Sequence, residues 1–372
     1  MLRSLFFALT ALSGAVQTAP VAQAETLRRS WLPGDAHWVA HLDMEAVGRS
    51  VLGRSARAWG REHSHLAERL AAFEERYRLE PFQDLYGLTL YGSSAAPGDA
   101  VLIAVASPRL DELLAKLRAH PKHSSELHDE LEVHTWAGDD LPTSDPPLAW
   151  FGQLLRGGEN VPPGRRNARV LVLADREDLL RSAVALVSGA PDAPTTLAGN
   201  ESRLLDADPG PGTTLYIEAG RGLPELLGRL PNSRLAKQAR RVRVMLGEHK
   251  GRAGMRVRIS TGNRGNARDV ADVLRGGLRL LRLMANSSNL GPEVAAWIDE
   301  VRVEEKRADV YLSFQGNAVE LAAELEAVLA RLPASGLLPL DDFPNAGGPV
   351  VTPEALPAST PPGSRPSKNE TP

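Results

Sequence analysis

LYGLTLYG (85–92), SSAAPGD (93–99) and AVLIAVAS (100–107) form the stretch that decides the fold. Two apolar runs of strand length flank a turn rich in Ser, Pro and Gly, which predicts a hairpin. Their near-continuous apolar character predicts central, well-covered strands. A second such pair, RRVRVMLGE (240–248) and GMRVRIST (254–261), lies in the other half of the chain. Working outward from the two pairs, the same order of elements recurs.

Upstream of the first pair, LPGDAHWVAHLDM (32–44) alternates Trp38, Ala40, Leu42 and Met44 against His37, Val39, His41 and Asp43. That alternation predicts a half-buried strand. In RSARAWGREHSHLAERLAAFEERYRL (54–79), Trp59, Leu66, Leu70, Phe73 and Tyr77 recur at helical spacing, and Pro81 ends the helix. The corresponding segments of the other half are TTLYIEAG (213–220) and GLPELLGRL (222–230).

Downstream, SPRLDELLAKLRAH (107–120) offers Ser107 as N-cap, Pro108 at the first helical position and a stripe of Leu110, Leu113, Leu114 and Leu117. Its counterpart is NARDVADVLRGGLRLLRLMA (266–285). The strands LEVHTWAG and RVLVLAD, with the helix DREDLLRSAVALVSG, answer to IDEVRVEE, ADVYLSFQ and NAVELAAELEAVLARL. Residues 138–167, rich in Pro around the apolar island LAWFGQLL, read as an insertion. Copies that each bury an apolar face imply a shared architecture.

The expected fold is α+β, with two related modules at 25–190 and 212–333. Each holds a mainly antiparallel sheet with helices packed on one face, and one long sheet across both is the other arrangement the pattern allows. A Pro-rich linker (191–211) joins the modules, and a tail (334–372) poor in apolar bulk is expected to be disordered.

Residues 1–24 carry Arg3, an apolar run from Leu5 to Val16 and the small-x-small ending Ala22-Gln23-Ala24, the pattern of a cleavable signal peptide. The run is too short to span a bilayer. Cys is absent from the 372 residues, so stability rests on the core without disulfides, and a lipoprotein anchor is excluded. The expected location is periplasmic or extracellular. A formal charge of -3 argues against a polyanionic partner for the whole molecule.

The sharpest charge feature is the second hairpin. Alternation places Arg241, Arg243, Arg256 and Arg258 on one face, a guanidinium row suited to phosphate, sulfate or uronate groups of an envelope glycan. The plainer reading is local neutralisation by Glu304, Glu305 and Asp309 on later strands. Nucleic acid is not expected, since no aromatic residues interleave these arginines. A second cluster, His120, His123, His128 and His134, with His63 and His65 earlier, matches no closed zinc site; Pro121, Ser124 and Ser125 favour a solvated loop. His37 and His41 share a strand face about 13 Å apart, too far for one metal. HExxH, G-x-S-x-G, the Walker A loop and G-x-G-x-x-G are absent from the sequence, and no cofactor is expected.

On LPGDAHWVAHLDM, DLYGLTLYGSS and PGDAVLIAVASPRLDELLAKL, the chain resembles exported bacterial proteins of the DUF3352-like kind. The resemblance spans most of 32–330. It implies a duplicated α+β envelope protein and transfers no catalytic residue. The expected role is therefore binding or assembly in the envelope, with a glycan binder or a periplasmic enzyme as alternatives.

Overall fold

The computed structural model describes residues 27–62, 64–94, 98–119, 123–128, 131–137, 149–156, 167–191, 193–196, 212–220, 238–287 and 292–331. The leader with Ala22 and Ala24, most of the linker, the segment matched to GLPELLGRL and the Pro-rich tail lie outside them.

A short 3-10 turn (Arg29–Trp31) leads into β1 (Trp38–Asp43). Helices α1 (Met44–Arg49), α2 (Val51–Glu62), α3 (Ser64–Tyr77) and α4 (Pro81–Asp84) follow, then β2 (Leu85–Gly92), β3 (Ala100–Ala106) and α5 (Leu110–Arg118). Next come β4 (His123–His128), β5 (Leu131–Ala137), β6 (Ala149–Arg156), β7 (Arg169–Ala174) and α6 (Glu177–Ser188). The second half supplies β8 (Thr213–Ala219), β9 (Ala239–His249), β10 (Arg252–Thr261), α7 (Arg264–Ser287), α8 (Pro292–Glu300), β11 (Arg302–Lys306), β12 (Asp309–Asn317) and α9 (Ala318–Arg331).

The class is α+β. Among the described residues twelve strands form one continuous sheet, ordered β11-β12-β10-β9-β8-β1-β2-β3-β7-β6-β5-β4, and every pairing there is antiparallel. The two opening strands, β1 and β8, pair with each other at the centre, Trp38 opposite Ala219. Outward from that pair the orders match: β2-β3-β7-β6 on one side, β9-β10-β12-β11 on the other.

Several local expectations change. The run 54–79 is not one helix: α1, α2 and α3 divide it and its approach, with Asp43 capping α1 by accepting from Ala46 N at 2.7 Å. Strand β1 is covered on both faces: Val39 packs with Leu180 and Val184 of α6 on one, and Leu42 with Met44 and Val47 of α1 on the other. Helix α5 begins at Leu110, and Ser107 leads into it as expected of an N-cap, its hydroxyl accepting from Arg109 N at 3.3 Å and its carbonyl from Leu110 N. The island LAWFGQLL is an integral strand, β6, seated between β5 and β7.

Helices do not keep to one face. Leu180, Ala183, Val184 and Val187 of α6 join Leu27, Trp31 and Leu32 over Val39, Tyr91, Val101, Ile103 and Val172. The opposite face, bearing Leu88, Ala104 and Leu171, packs against Phe73 of α3 and Leu110 of α5. In the second half, Ala267, Val270, Ala271 and Leu274 of α7 cover Val242, Val257, Ile259 and Val310 on that same opposite face. Helix α9 and the start of α2 close it further, through Leu321, Val51 and Leu52 against Ala253 and Phe314. The two closing helices, α6 and α9, therefore pack on different faces.

Junctions between elements rest on close contact. A Cβ on Gly53 would lie 2.1 Å from the Val47 carbonyl, so α1 and α2 meet only because glycine stands there. Glu248 Oε2 accepts from Val51 N at 2.5 Å and Leu52 N at 3.4 Å. A carboxylate from the second half thus caps α2 of the first, where the helix end is partially positive.

Candidate functional site

The predicted arginine row exists. In the β9–β10 register Arg258 stands opposite Arg243, Arg241 opposite Ser260 and Arg256 opposite Met245, which puts all four arginines on one face. Strand order then changes its meaning. Strand β8 pairs with β9 so that Glu218 faces Arg243 and Tyr216 faces Met245.

The Glu218 carboxylate is 0% exposed and accepts from Arg243 Nη2 at 3.1 Å, with Arg241 Nε 3.6 Å away. The Tyr216 hydroxyl donates to its other oxygen. Burial, then the Glu218 charge, push the Tyr216 phenol far up, so it stays a donor. On the outer side Arg258 Nη2 holds Asp309 at 2.9 Å, and Arg258 Cζ lies 5.8 Å from the Tyr311 ring centre. Burial pulls Arg258 down, but the Asp309 hydrogen bond and charge outweigh it and raise it overall.

Arg256 is exposed and the other three guanidinium groups are engaged by carboxylates. Charges that desolvated need partners, and the chain supplies them, with Glu218 added to the acids named from the sequence. Of the acids that sequence reasoning named, Asp309 takes Arg258, Glu305 lies 3.5 Å from Arg264, and Glu304 takes Lys306. Glu218 was missed. Its alternation with Tyr216 was legible, but its neighbour β9 was not.

Of the histidine cluster, His123 and His134 do not lie in a loop. His123 and His134 sit on the edge hairpin β4–β5, with His123 Nε2 3.1 Å from His134 Nδ1. His134 is buried, and burial lowers its imidazole below the ordinary value of 6.5 against the opposing pull of Glu132. His63, His120 and the side chains of His65 and His128 lie outside the described residues. His41 is buried with Nδ1 2.9 Å from Thr89 Oγ1. Among the described residues no group of three or more His, Asp or Glu is placed to hold a metal ion.

A third region was not singled out in the sequence. The first half of α7 is anchored in the core, yet its second half leaves Leu280 59%, Leu281 52% and Leu283 66% exposed. Alongside runs a groove of about 220 Å³ lined by Arg275, Arg279 and Arg282 of α7 with Ile298, Asp299 and Val303. Arg282 holds Asp299 at 2.9 Å and Arg275 holds Asp272 at 2.8 Å. Arg279 is exposed. The amphipathic signal was present in RGGLRLLRLMA, but the segment read only as the counterpart of the Leu-rich helix at 107–120.

No protein-family model matches the chain, and no curated protein does. Among solved structures, three crystal forms of TP0453 are similar. Form III has a TM-score of 0.39, covers 82% of this chain and 99% of its own, and is 9% identical. Form I scores 0.36 with the same coverage, and form IV 0.37 over 81% and 97%, both also at 9% identity. Likeness at this level assigns neither fold nor role. Among the described residues no helix is long and apolar enough to cross a membrane.

Proposed function

We propose that this is an exported, non-catalytic envelope protein that acts by binding through the exposed end of α7. The observation that carries the reading is the group Leu280, Leu281 and Leu283, all more than half exposed on one helix whose first half is anchored in the core by Ala267, Val270 and Ala271. Contiguous exposed apolar residues of this kind mark interaction surfaces. Export is supported by the leader pattern at 1–24, and the envelope setting by the resemblance to DUF3352-like proteins. The matched strand order on either side of β1–β8 supports descent of both halves from one segment.

Two measurements test this. Residues 1–24 fused to a reporter active only outside the cytoplasm should switch it on, and the processed chain should begin at Glu25. A photo-crosslinking residue at position 283 should give an envelope adduct, while one at the exposed Arg252 should not. Equal adducts at both positions, or none, would remove α7 as the binding surface.

A further inference from the structure

Resting on that surface-binding reading, we infer that the partner of α7 is the surface of an anionic lipid bilayer. From Arg275 to Ala285 the helix reads RGGLRLLRLMA: three arginines, four leucines, one methionine and no acid. Residues three and four apart share a helix side, so Arg275, Arg279 and Arg282 form one stripe, and Leu280 and Leu283 form the next. Cations beside a leucine stripe are the arrangement of a helix lying in a membrane interface, with apolar side chains among acyl chains and guanidinium groups at the phosphates.

Charge and shape favour lipid over a protein groove. Of the carboxylates nearby, Asp272 and Asp299 are each taken by one arginine. Among the described residues Arg279 has no ion-pair partner and is exposed. Gly276 and Gly277 open the same helix further, since a Cβ at either would meet nothing within 4 Å. Of the four leucines only Leu278 lines the groove, while Leu280, Leu281 and Leu283 stand exposed. Embedded in the interface they lose water contact, while the arginines keep their hydration and gain phosphates.

The test is co-sedimentation of the full chain with vesicles of phosphatidylglycerol mixed into phosphatidylcholine, against phosphatidylcholine alone. Binding should require the anionic lipid and weaken as salt rises. Leu280→Ser with Leu283→Ser should lower the partition coefficient about tenfold or more. Arg279→Gln should lower it about fivefold on anionic vesicles only. Because the chain lacks Cys, Leu280→Cys also takes a single environment-sensitive dye, which should shift blue on anionic vesicles while a dye at Arg252→Cys does not. Vesicle binding that ignores lipid charge, or that survives the double Leu→Ser variant, overturns the inference. If vesicles do not bind but these substitutions break a concentration-dependent dimer, the occupant is a second copy. The lipid inference then falls and α7 remains a binding surface.

Discussion

Removing the Glu218 carboxylate should be among the most damaging single changes in this protein. Its side chain is 0% exposed, and Arg243, 6% exposed, donates to it at 3.1 Å. Arg241, at 17%, stands 3.6 Å from the same oxygen. Deleting one partner of such a buried ion pair costs about 3–5 kcal/mol. Glu218→Ala also strands the Tyr216 hydroxyl, whose loss of a buried acceptor adds about 1 kcal/mol. With a urea slope of roughly 3 kcal/mol/M for a chain of this size, the unfolding midpoint should fall by more than about 1 M at unchanged slope. Replacing the pair together, Glu218→Leu with Arg243→Met, should cost less than the sum of the single changes, because Arg243 no longer loses its carboxylate, although Arg241 still does. Urea titration followed by far-UV circular dichroism reads both. A Glu218→Ala loss below about 1 kcal/mol, or additivity in the double-mutant cycle, would refute a buried ion-pair anchor.

Three further outcomes are expected. Gly53→Ala forces a methyl to within 2.1 Å of the Val47 carbonyl and should lower the melting temperature by the equivalent of about 1–3 kcal/mol; an unchanged melt would mean α1 and α2 are not held that closely. Glu248→Ala strips the carboxylate from the first turn of α2 and should cost about 0.5–2 kcal/mol, with Glu248→Asp recovering little because its shorter arm falls away from Val51 N. His134 has a folded-state pKa below its unfolded 6.5, so the unfolded chain binds more protons in that window. Stability is full above 6.5 and declines as pH falls through it; His134→Phe should flatten that decline, and an unchanged profile would show that His134 does not drive it.

Periodicity alone determined much of this molecule. The two central hairpins, their inward Val, Ile and Leu positions, and the shared face of Arg241, Arg243, Arg256 and Arg258 follow from a side-chain period of two, which needs no tertiary information. Sequence did not determine which strands become neighbours. The β8–β9 pairing brought Glu218 beneath the arginines and turned a seeming anion platform into an internal salt link. The β4–β5 hairpin turned a histidine-rich segment into an edge with His134 inside. The leucines of α7 show the converse. Their helical stripe is legible in the chain, but burial depends on whether another element arrives to cover it, and for Leu280, Leu281 and Leu283 none does so fully. Local chemistry sets which side a residue takes; only the assembled sheet and its helices decide what that side meets.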